Sequence, residues 1–108
     1  GLSSDQLQRV TDYVEAHLDE DLSLATLSRV AAVSAAHLKT LFKRSTGLPV
    51  HEYVIQRRVE RARTLLLRGE LPTGQVALEA GFSHQSHMAR WMRRVLGVTP
   101  GDILRSRA

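Results

Sequence analysis

Two stretches decide the fold of this chain: Leu27–Gly47, which reads LSRVAAVSAAHLKTLFKRSTG, and Ala77–Gly97, which reads ALEAGFSHQSHMARWMRRVLG. Each contains a short apolar helix pattern, a turn of small residues, and a second helix that ends in basic residues and a glycine. The two stretches are imperfect copies of one pattern. This duplication predicts two helix-turn-helix modules.

The two copies can be aligned residue by residue. The segment Ala32–Ser34 matches Gly81–Ser83 at an offset of 49, whereas His37 matches His87 at an offset of 50. The second turn is therefore one residue longer than the first. In this alignment, Ser83 is the counterpart of Ser34.

The first turn has the residues that a helix-turn-helix corner requires. A small residue at Ala32, as at Gly81, lets the chain leave the preceding helix in a tight, left-handed conformation. The side chain of Ser34 supplies an oxygen that caps the next helix. Corners of this kind also occur in helical hairpins that serve only for packing, so the spacing alone leaves a packing role open.

Helical periodicity predicts an all-α fold of about seven helices, because no segment shows the alternation that is typical of a strand. The expected helices are Ser4 to Asp19, a short one capped by Ser23 and ending near Ala31, Ala35 to Ser45, Pro49 to Arg68, a short one beginning at Thr73, Gln85 to Leu96, and one capped by Thr99 and Pro100.

The long fourth helix is expected to join the two modules. We expect the first module at residues 4–48, the linker helix at 49–69 and the second module at 70–108, all within a single domain. About 20 helical residues span ~30 Å, close to the ~34 Å repeat of B-DNA. The linker would therefore hold two recognition helices, at about 35–45 and 85–96, in successive major grooves.

Charge is distributed unevenly along the 108 residues. Residues 1 to 28 hold six acids and one base, a net charge of −5, whereas the remainder holds fourteen bases and five acids, a net charge of +9. Lys43 and Arg44 recur as Arg93 and Arg94 at matching positions of the repeat. A recurring cationic face favours a shared polyanionic partner such as DNA. A solvated charged surface is the alternative for any single cluster.

Composition excludes other classes of protein. The chain has no cysteine, so it has no disulfide and no thiolate metal site. No apolar segment approaches the ~20 residues of a membrane span, so we expect a soluble, cytoplasmic protein with no membrane partner. No constellation of catalytic residues is visible, so we expect neither enzyme activity nor a cofactor. His84 and His87 have no third ligand at a useful spacing, so we expect no metal.

The second half of the chain carries a specific family likeness. Residues 81–103, GFSHQSHMARWMRRVLGVTPGDI, together with Ser34–Leu38 and Tyr53–Val54, resemble the C-terminal DNA-binding domain of the AraC/XylS transcriptional regulators. The likeness covers nearly the whole chain. Met88 and Met92 stand where the family commonly has Phe, and methionine fills the same core volume.

Two further positions depart from the family pattern. Ile103-Leu104 replaces the usual Tyr-Arg, and His84 stands where an Asp is usual. The second difference leaves open whether residue 84 caps its helix.

The resemblance implies a sequence-specific regulator of transcription that binds double-stranded DNA, and it places the contacts on the exposed faces of the third and sixth helices. The base-contacting residues would be Ala36, Lys39, Thr40, His84, Gln85, Ser86, His87 and Arg90. The phosphate-contacting residues would be Ser34, Lys43, Arg44, Arg93 and Arg94. We expect Lys39 and Arg90 to contact guanine and Gln85 to contact adenine.

The resemblance also implies partners that this chain does not itself specify. These are promoter or operator DNA, RNA polymerase, and effector or dimerisation partners that bind a domain outside these 108 residues. Activation and repression remain equally open, and a helical module that binds only proteins remains the alternative function. Trp91 is expected to pack against a neighbouring helix rather than to stack on a base.

Overall fold

The computed structural model describes residues 1–107, and all regular structure in this range is helical. The helices are α1 Ser4–Ala16, α2 Leu24–Ala31, α3 Ala35–Thr46, α4 Val50–Arg68, α5 Thr73–Glu79, α6 Gln85–Leu96 and α7 Pro100–Ser106. The predicted all-α fold is therefore confirmed.

The first helix is shorter than predicted, because it ends at Ala16 and not at Asp19. His17 leaves the helical conformation with φ of −132°, its ring stacks on Tyr13 at 3.9 Å between centroids, and its Nδ1 lies 2.8 Å from the Tyr13 carbonyl oxygen. The imidazole thus donates a hydrogen bond to a carbonyl in the last turn of the helix. Leu18 remains buried although it lies beyond that end.

The limits of two other helices differ from the prediction by one residue. The third helix runs to Thr46, and the fourth begins at Val50, so that Pro49 stands just before it. The Pro49 carbonyl accepts the N–H of Tyr53 at 3.0 Å, which is the bond that a helix-capping residue makes.

The chain divides into two compact units, and the boundary falls inside α4, between Val54 and Ile55. Each unit has its own apolar core. The first core consists of Val10, Val14, Leu18, Leu22, Leu27, Ala31, Leu38, Phe42, Val50 and Val54. The second core consists of Ile55, Val59, Ala62, Leu65, Leu66, Val76, Ala77, Ala80, Phe82, Met88, Met92 and Ile103. The limits predicted for the two modules and the linker remain a prediction.

Candidate nucleic-acid interface

Both corners leave their first helix in the same way. The N–H of Val33 donates to the carbonyl of Ser28 at 3.1 Å, and in the second unit the N–H of Phe82 donates to the carbonyl of Ala77 at 2.8 Å. The residue before each donor has a positive φ, 58° in the first corner and 97° in the second. This is the left-handed helix ending that the small residues predict.

Both second helices begin with a side-chain cap. The N–H of His37 donates to Ser34 Oγ at 3.1 Å, and the N–H of His87 donates to His84 Nδ1, also at 3.1 Å. The structure therefore answers the question that the family difference raised: His84 does cap α6.

The caps correct the sequence alignment of the turns. By its role, Ser34 corresponds to His84 at an offset of 50, and not to Ser83 at an offset of 49. Ser83 is the inserted residue of the second corner. The alignment paired the two serines because they are identical, although it is the residue directly before the helix that caps it.

Both recognition helices also end alike. Gly47 and Gly97 have φ of 80° and 75°, and their N–H groups donate to the carbonyls of Lys43 and Arg93 at 2.8 and 2.9 Å. The repeat thus extends from the exit of the first helix to the end of the second. Each unit therefore presents one such helix, and α3 and α6 have the same length and the same kind of ending.

In the first unit, α3 turns Leu38 and Phe42 inward, and both are fully buried. The residues predicted to contact DNA in this unit are exposed: Ser34, Ala36, Lys39, Thr40, Lys43 and Arg44. The Thr40 hydroxyl donates to the Ala36 carbonyl at 3.4 Å, a bond within its own helix.

In the second unit, α6 turns Met88 and Met92 inward, and both are fully buried. The predicted contact residues that are exposed are His84, Gln85, Ser86, Arg90, Arg93 and Arg94. His87 is half-buried. The burial of Met88 and Met92 confirms the prediction that these methionines fill core positions.

The inserted residue Ser83 holds the ring of His87. Its backbone N–H donates to His87 Nδ1 at 3.3 Å, and its Oγ lies 2.9 Å from the same nitrogen. Because a backbone amide can only donate, Nδ1 must be the acceptor and the ring proton must lie on Nε2. The ring also meets Phe82 edge-on, with centroids 5.5 Å apart. Only Nε2 of His87 is left for a contact with DNA.

Burial lowers the pKa of the His87 imidazole below its ordinary value, and the charges of His84, Arg90 and Arg58 lower it further. The ring is therefore neutral at neutral pH. This agrees with the hydrogen bonds, which require an unprotonated Nδ1.

Two other side chains of α6 lie beside neighbours within the second unit. The Arg94 guanidinium lies over the ring of Trp91, with Cζ 5.2 Å from the centroid. Trp91 is half-buried and packs against the second core, which is the packing role predicted for it. The amide of Gln85 lies close to Gly74, where an added Cβ would stand 3.0 Å from Nε2.

An open groove of about 390 Å³ lies beside the beginning of α6 and is lined by Ser86, Thr73 and Thr99 among others. Sequence reasoning selected Ser86 and Gln85, which also lines the groove, and missed the two threonines as groove residues. It interpreted both threonines only as residues that begin helices, and it could not place α5 and α7 beside α6.

Residues 1–107 contain no group of three or more His, Cys, Asp or Glu side chains arranged to hold a metal ion. In the same range, no helix combines the length and the apolar character that crossing a bilayer requires.

Comparison with known proteins identifies the repeat. A family model described as a helix-turn-helix domain matches residues 27–106. The relative named "Probable transcriptional regulator LumQ", from Photobacterium leiognathi, is 36% identical over 91 residues, which cover 84% of this chain and 37% of LumQ. The chain thus spans little more than a third of that relative.

Two solved structures have the same fold. A transcriptional regulator of Chromobacterium violaceum with an AraC-type DNA-binding domain superposes with a TM-score of 0.88 at 30% identity, covering 96% of this chain and 93% of that one. The DNA-binding domain of AdpA, solved in complex with a target DNA, superposes with a TM-score of 0.88 at 28% identity, covering 95% and 93%. With these relatives and a family model that matches most of its length, the chain belongs to the AraC/XylS family of transcriptional regulators, where it corresponds to the helix-turn-helix DNA-binding domain.

Proposed function

We propose that this chain is the part of a transcription regulator that binds double-stranded DNA in a sequence-specific way, with α3 and α6 each inserted into a major groove. The observation that carries the proposal is the repeated corner. The two units build an equivalent helix, cap it, end it with glycine, and leave its outer face polar and cationic. The complex of the AdpA domain with its target DNA supports this assignment.

The proposed base contacts lie on the exposed faces of α3 and α6. Lys39 and Arg90 would donate to guanine, and Gln85 would pair with adenine. The remaining base contacts would come from Ala36, Thr40, His84, Ser86 and His87. The second unit would read more of the sequence, because Ala36 offers only a methyl group.

The proposed phosphate contacts come from the ends of the same helices. Lys43, Arg44, Arg93 and Arg94 are exposed cations in the last turns of α3 and α6, where they would neutralise phosphates and set the register of the protein on the duplex. Ser34 would contribute its hydroxyl, although that oxygen already accepts the helix-capping bond.

The rest of the regulator's activity would lie outside this chain. We propose that it acts in the cytoplasm, without a chemical step of its own, and that it influences RNA polymerase at a promoter. Effector and dimerisation partners would bind another domain.

The test is selection of bound sequences from random duplexes. The wild-type chain is compared with the double variant Lys39→Ala/Arg90→Ala and with the matched variant Arg9→Ala/Arg68→Ala, which removes two exposed arginines outside α3 and α6. We expect the same enriched motif for the wild type and the matched variant, and for the first double variant a weaker motif without preference at the base pairs that Lys39 and Arg90 contact. A wild-type chain that enriches no motif and shifts no duplex at low salt would favour a protein-binding module.

A further inference from the structure

The two recognition helices differ in the chemistry that caps them. A serine hydroxyl caps α3, whereas an imidazole nitrogen caps α6. A hydroxyl oxygen accepts a hydrogen bond at any pH near neutrality. An imidazole nitrogen accepts only while it carries no proton, because a charged imidazole has N–H groups on both nitrogens.

The beginning of α6 uses this kind of acceptor twice. His84 Nδ1 takes the N–H of His87, and His87 Nδ1 takes the N–H of Ser83. The two bonds run in series from the cap to the inserted residue. The two rings stand 5.9 Å apart, so a charge on one opposes a charge on the other.

The surroundings of His87 also oppose its protonation. Its ring packs edge-on against Phe82, and the charged groups that act on it are His84 and Arg90 of α6 and Arg58 of α4. Burial and these three groups all lower the pKa of His87. His87 therefore holds this geometry as a neutral ring.

We propose that His84 and His87 are positioning residues, which fix Ser83 and the first turn of α6 as neutral imidazoles protonated at Nε2. Protonation of His84 at Nδ1 removes the acceptor that caps this turn, whereas protonation of His87 at Nδ1 ends only the bond from the Ser83 amide, because Ser83 Oγ can accept the new N–H. The consequence for DNA rests on the proposed function, because the first turn of α6 carries Gln85 and Ser86. The first unit has the same corner without this sensitivity.

The positioning role is tested without DNA. In the ¹⁵N-labelled chain, long-range ¹H–¹⁵N spectra at neutral pH should show both rings with the proton on Nε2; a proton on Nδ1 of either ring would overturn the proposal. Hydrogen-exchange protection factors are then compared for the amides of His87 and His37. When the pH falls from about 7.5 to the value at which the ring ¹⁵N signals of His84 show it protonated, we expect the first to drop about fivefold, the size of a lost cap, and the second to hold.

Three variants separate the cap from a general effect of the ring. His84→Asn keeps an acceptor that does not titrate, so protection of the His87 amide should become independent of pH. His84→Ala should show the lower protection at both pH values. His37→Asn changes the matching histidine of the first unit and should leave the response of α6 unchanged. A His84→Asn chain that responds to pH like the wild type would contradict the proposal.

A second arm measures affinity for the selected duplex at fixed salt. Lower pH adds positive charge to histidines, which by itself strengthens binding to DNA. We expect the wild type instead to lose about fivefold relative to His84→Asn over the same pH interval. An equal change of affinity with pH in the two chains would show that this turn does not affect DNA binding. Failure of both chains to bind at pH about 7.5 would count against the proposed function, while the amide measurements would still decide the positioning role.

Discussion

Arg90 is exposed on α6 between the fully buried Met88 and Met92. This placement directs its guanidinium away from the core of the second unit. If it makes a bidentate contact with guanine, Arg90→Ala should cost about 1–3 kcal/mol on the preferred site and relax discrimination at one base pair. Titrations on the preferred duplex and on one with that guanine replaced measure both effects.

Arg94 supplies the control for Arg90. Its guanidinium stacks on Trp91 near the end of α6, and a phosphate contact there carries no sequence information. Arg94→Ala should weaken binding to the preferred and altered duplexes by the same factor. If Arg90→Ala also loses equally on both, then it is a phosphate contact, and base reading must lie with other residues of the two helices.

Ala32 offers a test of backbone strain. It is the one non-glycine residue in the described chain with a positive φ, 58°, and Gly81 occupies the matching place in the second corner. A Cβ in this conformation costs roughly 1–2 kcal/mol. Ala32→Gly removes this strain, but glycine also has more conformational freedom in the unfolded chain, which offsets part of the gain. The free energy of unfolding should therefore rise by about 1 kcal/mol.

The matched control for Ala32 is Ala25→Gly, which replaces an exposed alanine inside α2. Glycine there should lower stability by about 0.5–1 kcal/mol. Urea unfolding of both variants measures the two changes. A loss of stability in Ala32→Gly would show that the left-handed corner is not strained.

Single residues also mark where sequence reasoning succeeds and fails. Ala32 and Gly81 were recognised because small residues between two apolar patterns are typical of a corner. The roles of Ser83 and His84 were not recognised. The residues preferred as helix caps are Ser, Thr, Asp and Asn, and whether an imidazole caps a helix depends on the orientation of its ring. The alignment therefore paired identical serines and not equivalent positions.

At the level of helices, α7 begins with two reciprocal bonds. The N–H of Asp102 donates to Thr99 Oγ1 at 3.1 Å, and the N–H of Thr99 donates to Asp102 Oδ2 at 2.8 Å. Ile103, in the same helix, belongs to the second core. Thr99→Ala should lower the free energy of unfolding by about 1 kcal/mol, measured by urea denaturation, because it removes the hydroxyl cap.

The same cap predicts an acid dependence. The backbone N–H of Thr99 is the main cause that lowers the pKa of Asp102 below its ordinary value. The unfolded chain then binds a proton more readily, so this contribution to stability is present above the ordinary pKa and is lost as the pH falls through the lowered one. Asp102→Asn keeps the acceptor without the charge, so its melting temperature should fall less than that of the wild type on acidification. Equal falls would exclude a contribution from this carboxylate.

Helix limits show what periodicity can and cannot determine. The long helix α4 was predicted to within one residue, because Ile55, Val59, Ala62 and Leu66 recur at helical spacing over a long segment, and all four are buried. The end of α1 was predicted wrongly. Leu18 continues the apolar spacing, but the helix ends before it, at Ala16. His17 leaves the helical conformation there, and its ring bonds to the carbonyl of Tyr13.

For the molecule as a whole, charge predicts how affinity depends on salt. If Lys43, Arg44, Arg93 and Arg94 neutralise phosphates, the logarithm of affinity should fall linearly with the logarithm of salt concentration. Each alanine substitution should flatten the slope by about one unit. Arg68→Ala, which removes an exposed charge outside both recognition helices, should leave the slope unchanged. Binding that does not depend on salt would contradict the phosphate contacts.

At this scale the sequence predicted the duplication and the helical class, because both follow from periodicity and turn residues. It did not predict that the boundary between the compact units would lie within α4, after Val54. That boundary depends on which buried side chains of the helix join which core, and spacing along a single helix cannot distinguish them.

The separation of the two cores along the chain also determines the order in which they can form. Every residue of the first core precedes Ile55, and every residue of the second lies at Ile55 or beyond it. During synthesis, all residues of the first core are therefore added before any residue of the second. Neither core needs the closure of a loop that spans the whole chain, which favours rapid folding. The growing chain can bury its first apolar cluster while the second is still being synthesised, which limits the apolar surface exposed to aggregation at any moment.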